Sequence, residues 1–88
     1  MSLAKTWIEF HRSEELGLEA ARAKALEGLN KKLGTNHTRG DLWRWEQGAG
    51  MQPDRREYMM REVIPYFAKM KGFKITKAQV EELLELLL

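Results

Sequence analysis

No cysteine occurs in these 88 residues, so neither a disulfide framework nor a thiolate metal site can be built. That suits a reducing compartment, and the cytoplasm is the expected location. β-Branched residues are scarce, and nothing alternates at period two for long enough to make a sheet. No apolar run approaches the roughly 18 residues that a membrane span needs. The first residues lack a basic region, an apolar stretch and a small-residue cleavage site, so no signal peptide is expected. No Ser-His-Asp set, phosphate-cradling glycine loop or metal-ligand cluster can be assembled. The expectation is therefore a protein that is not an enzyme, with no cofactor, no metal and no small-molecule substrate.

What is present is an ordinary globular composition, 43% hydrophobic and 32% charged, enough for one small domain over residues 1–88. The net charge is only +2, but it is unevenly spread. Residues 22–77 hold thirteen basic against six acidic groups, while residues 1–21 and 78–88 are acidic. A basic middle between acidic ends is the electrostatic footprint expected of a nucleic-acid face, or of an unevenly solvated surface.

The chain reads as all helix. Leu3, Trp7, Ile8 and Phe10 place a first helix over about Ser2 to Arg12. After Gly17, the stripe of Ala21 or Arg22, Ala25, Leu26, Leu29 and Leu33 predicts a second from Leu18 to Leu33, stopped by Gly34. Thr38 is the expected N-cap of a third helix, about Arg39 to Gln47, closed by Gly48. Pro53 opens a fourth, which Pro65 is expected to break near Val63 or Ile64, restarting as a short helix closed by Gly72. Thr76 with Gln79 three residues on is a capping box for the last helix, within residues 73–88. The expected architecture is a compact all-α bundle of five or six helices.

The third helix carries the chemistry. Leu42 and Trp45 share an inward face at i, i+3, while Arg39, Gly40, Trp43, Arg44 and Gln47 fall on the other side. Arginine suits a guanine edge, because two parallel donors match O6 and N7. Gly40 lets the backbone approach a duplex closely, and Thr38 can donate to a phosphate or touch a thymine methyl. Three roles stay open for Trp43: covering a neighbouring helix, contacting a thymine methyl, or joining a dimer interface. Arg55 and Arg56, at the start of the fourth helix, are candidate phosphate partners.

Lys31-Lys32-Leu33-Gly34, Leu42, Arg44-Trp45-Glu46-Gln47-Gly48 and Pro53 together resemble the lambda-repressor/Cro type of helix-turn-helix, the Xre family. The resemblance covers about Ala25 to Ile64. It implies a helix-turn-helix whose base-reading positions fall on Thr38, Arg39, Gly40 and Arg44, with Trp43 beside them, and whose buried positions fall on Leu29, Leu33, Leu42 and Trp45. Glu46 and Gln47 fall where the family's residues meet the DNA backbone. Two departures stand out. The turn after Gly34 is about two residues longer than the family's, and Ala25 and Leu26 replace the glutamine that often touches phosphate, a contact Arg22 or Lys24 can replace.

His37 and Asp41, at i, i+4, lack a third metal ligand, and His11 has Glu14 and Glu15 nearby; both histidines are expected at the surface or in turns. The function that follows is a sequence-specific DNA-binding transcriptional regulator, on palindromic double-stranded DNA. A module this small needs two half-sites, hence a homodimer, and Val80, Leu83, Leu84, Leu86, Leu87 and Leu88 are more apolar residues than one stripe requires. The alternative is a helical protein–protein adaptor, or antitoxin-like partner, that binds little or no DNA. A membrane-surface role fits poorly, because Glu81, Glu82 and Glu85 line the polar face of the last helix.

Overall fold

The computed structural model describes residues 2–13 and 17–87, and its helices follow from short-range rules. Helix α1, Leu3–Arg12, starts where the Ser2 hydroxyl accepts from the Lys5 N–H at 3.1 Å. Its buried residues Ala4, Trp7, Ile8 and His11 follow the i, i+3, i+4, i+7 spacing of one helical face. Helix α2, Leu18–Leu33, buries Ala21, Ala25, Leu26 and Leu29. Gly34 ends it at φ 65°, a left-handed conformation that costs a glycine little.

Helix α3, Arg39–Glu46, buries Leu42, Trp45 and Glu46. Helix α4, Pro53–Met70, and helix α5, Lys77–Leu87, complete the chain. The expected capping box forms at the start of α5. Thr76 N–H donates to Gln79 Oε1 at 2.9 Å, and Gln79 N–H to Thr76 Oγ1 at 3.2 Å. One core, built on Trp7, Ile8, Leu29, Leu42 and Met59, joins α1 to α4. Helix α3 packs on α1 and α2, whereas α5 packs on α4 alone.

The expected break at Pro65 does not occur, and α4 runs through it as one helix. A proline inside a helix costs about 3 kcal/mol, partly through the carbonyl it leaves without a partner four residues earlier. Here that carbonyl belongs to Arg61, and both Arg61 and Pro65 lie on the exposed side, where water can serve the orphaned oxygen. The opposite face carries the core without interruption. Val63 is buried before the proline, and the Tyr66 ring sits 5.5 Å from Phe10 after it. Packing on both sides outweighs the single lost bond.

His11 is likewise corrected from surface to core. Glu62 of α4 accepts through one oxygen, Oε1, from Trp7 Nε1 at 2.8 Å and from His11 Nε2 at 3.3 Å. Burial pushes the Glu62 carboxyl upward, but the His11 and Trp7 hydrogen bonds outweigh it and hold it below its usual range. Glu14 and Glu15, expected beside His11, and Leu88 of the C-terminal apolar set lie outside the described residues.

Candidate nucleic-acid interface

Helix α3 has only eight residues, too few to be stable alone, so its position is decided by what grips it. At its start, Thr38 and Asp41 form a capping box. Thr38 Oγ1 accepts from Asp41 N–H at 3.3 Å, and Asp41 Oδ2 accepts from Thr38 N–H at 3.0 Å. The Thr38 backbone bond, with Arg44 and His37, lowers the Asp41 pKa to about 2. At its end, the Glu46 carboxylate takes two bonds from Arg22 of α2, Nε to Oε2 at 3.2 Å and Nη2 to Oε1 at 3.0 Å. The Glu46 carbonyl accepts from the Ser2 hydroxyl at 3.1 Å, which ties the same turn to the start of α1.

The turn in front of α3 is held by Asn30. Its Oδ1 accepts from the His37 N–H at 2.8 Å and from the Thr35 hydroxyl at 2.9 Å, while its Nδ2 donates to the His37 carbonyl at 3.0 Å. His37 is therefore a half-buried hub and not a plain turn residue. Its ring lies edge-on to Trp45, with centroids 4.9 Å apart, and its Nε2 is 2.6 Å from Arg55 Nε. A guanidinium can only donate, so Nε2 carries the lone pair and Nδ1 the proton, which faces Asp41 Oδ2 at 3.5 Å. Among the described residues no group of three or more potential ligands could hold a metal ion.

These bonds sort the expected contact residues. Gly40, Trp43, Arg44 and Gln47 are exposed on the outward side of α3, and Trp43 keeps 62% of its surface in water. Trp43 thus covers no neighbouring helix. Arg39 is exposed but leans back to Glu19, 2.7 Å away, and Arg44 pairs with Asp41. The Arg39 and Arg22 bonds lower the Glu19 pKa. Exposed pairs such as Arg39–Glu19 and Arg44–Asp41 are screened by water and contribute little, so either arginine can exchange its carboxylate for another anion at little cost. The Thr38 hydroxyl is occupied by its capping role.

Of the residues expected to touch phosphate, Gln47, Lys24 and Arg56 are exposed, whereas Arg22 and Arg55 are engaged inside the fold. Arg22 braces α2 against α3 through Glu46; that bond raises its own pKa and makes it a poor substitute for the missing phosphate contact. Arg55 is mostly buried against His37 and lies 3.7 Å from Asp54. Glu46, expected near the DNA backbone, is only 8% exposed.

Sequence reasoning missed Asn30, the hub role of His37 and the Arg22–Glu46 pair. An asparagine in the last turn of α2, just before Gly34, was the one local hint of a clamped turn. The ion pair spans 24 residues and left no local signal.

Gly40 is informative by contrast with Gly28. A Cβ at Gly28 would come within 3.1 Å of the Tyr58 hydroxyl, so packing accounts for the glycine there. At Gly40 a Cβ would meet only Thr38 Oγ1, at an ordinary 3.5 Å, and the backbone is not left-handed. Nothing within the fold asks for glycine at this position. No family model matches the chain, and neither does any curated protein or solved structure.

Proposed function

We propose that this protein is a sequence-specific DNA-binding regulator that lays α3 into the major groove, with α2 and α3 acting as a lambda-repressor-like helix-turn-helix in the cytoplasm. The observation that carries this reading is the outward stripe of Gly40, Trp43, Arg44 and Gln47. None of its four residues is acidic, and it sits on a short helix gripped at both ends. Rigid presentation matters, because base recognition depends on placing a side chain within hydrogen-bond reach of one edge. Arg44 and Arg39 supply donors for guanine or phosphate, and exposed Arg56 and Gln47 lie at the helix ends where a duplex backbone would pass.

A homodimer completes the reading, with two copies of α3 about 34 Å apart on a palindromic site. Exposed Leu83 and Leu86, which line one groove with exposed Phe73, and exposed Leu87 support α5 as its interface. The same apolar residues, with Phe67 and Met70, favour the second reading, a protein–protein adaptor.

Gel-shift titration against random duplex DNA at two salt concentrations separates the two. A regulator binds at low salt and weakens steeply as salt rises, because Lys and Arg displace counterions from phosphate. Absence of binding at low salt leaves only the adaptor.

A further inference from the structure

Side chains on a helix lean toward its N-terminus. On α3, Trp43 therefore leans toward the turn that holds Gly40, three residues earlier, while Arg44, on the other side of Gly40, reaches back to Asp41. Gly40 contributes no side chain, so the surface beside the indole ring lacks the methyl group that an alanine would place there, a notch of that size. Two observations about this notch have no explanation inside the fold. Glycine is a poor helix former, yet no close approach and no left-handed φ demands it here. The Trp43 side chain has no ring partner and no hydrogen bond among the described residues, and most of its large surface stays in water.

We propose that the notch receives the C5 methyl group of a thymine, covered by the face of Trp43, while Arg44 donates to a base on the neighbouring pair. The proposal rests on the DNA-binding reading above. Thymine is the base that carries an apolar group on its major-groove edge, where cytosine offers only a hydrogen at C5. The two features of the helix need each other. With a Cβ at position 40 the methyl would be held away from the ring, and without the ring the notch would leave it in water. The arginine beside the notch, once it exchanges the exposed Asp41 carboxylate for a DNA acceptor, is complementary to the polyanion that brings the methyl there.

The test selects bound duplexes from a random pool, then replaces each dT of the selected site by dU, one at a time. Kd is measured for the wild-type protein, Gly40→Ala and Trp43→Ala. Burying one methyl predicts a loss of roughly fourfold in wild-type affinity at one dT position. Gly40→Ala and Trp43→Ala should bind the dT and dU duplexes equally, with urea unfolding midpoints showing that both are folded. The wild-type series stands without either variant. DNA binding with no response at any dT overturns the methyl assignment and leaves the regulator reading intact. A response that persists in Trp43→Ala also overturns it. Binding to no duplex at all overturns both.

Discussion

Arg22 grips Glu46 through two parallel bonds, at 3.2 and 3.0 Å, and so joins the middle of the bundle to the last residue of the helix proposed to read DNA. The carboxylate is buried, while the guanidinium keeps about a quarter of its surface in water. Removing the arginine strands a buried charge, which costs more than the pair itself contributes. Arg22→Ala is therefore expected to lower stability by about 2 kcal/mol. Adding Glu46→Gln to it should recover part of that loss. Urea denaturation of the two singles and the double gives the coupling. An Arg22→Ala protein of unchanged stability but weaker DNA binding would show that Arg22 is a contact and not a brace.

Asn30 makes three hydrogen bonds to the turn that precedes α3. Asn30→Ala should cost about 2 kcal/mol. Asn30→Asp keeps the acceptor for the His37 N–H and Thr35 hydroxyl but loses the donor to the His37 carbonyl, and should cost less. Amide hydrogen exchange should speed up over residues 34–38 more than in α4, because the loosened unit is local.

At His37 the expectation is spectroscopic. Arg55 Nε can only donate, so Nitrogen-15 NMR of the neutral ring should show a proton on Nδ1 and a lone pair on Nε2. Arg55→Ala removes the donor and should return the ring toward the mixture of tautomers seen in free histidine. A proton found on Nε2 in the wild-type protein would contradict the Arg55 contact.

Acid stability should report Asp41. Its folded pKa of about 2 lies below the ordinary aspartate value of about 3.9, so the unfolded chain binds the proton first as pH falls. The stabilisation is present above about pH 4 and is lost progressively toward pH 2. Glu62 and Glu19, also held below their usual values, act in the same direction. Thermal unfolding between pH 2 and 5 should be less pH-dependent in Asp41→Asn than in the wild type.

Gly40→Ala should stabilise the protein, by up to about 0.5–1 kcal/mol, because alanine is the better helix former and its Cβ meets nothing closer than 3.5 Å. Gly34→Ala should destabilise it, since that residue sits at φ 65°. Thermal unfolding of the pair separates a glycine used by the fold from one that the fold leaves free.

Much of the architecture was legible because it obeys short-range rules. The stripe Ala21, Ala25, Leu26 and Leu29, the Gly34 stop, the Thr38 cap and the Thr76–Gln79 box are all set within four or five residues of chain. Pro65 misled for an instructive reason. The local rule weighs one lost hydrogen bond, whereas the outcome depended on which side of α4 the gap would face and on what Val63 and Tyr66 pack against.

Periodicity and capping act between near neighbours, so the local pattern was enough for every helix except the continuity of α4, for the Thr38 and Thr76 caps, and for the inward placing of Leu42 and Trp45. Which polar side chains remain available depends on long-range packing. Trp7, His11 and Glu62 meet across more than fifty residues, Arg22 and Glu46 across twenty-four, and Arg55 reaches back eighteen to His37. A charged side chain becomes a brace or a free contact according to what stands opposite it in space, and spacing along the chain carries no record of that. Helix packing took Arg22, Arg55 and Glu46 out of the open face and left Gly40, Trp43, Arg44 and Gln47 on it.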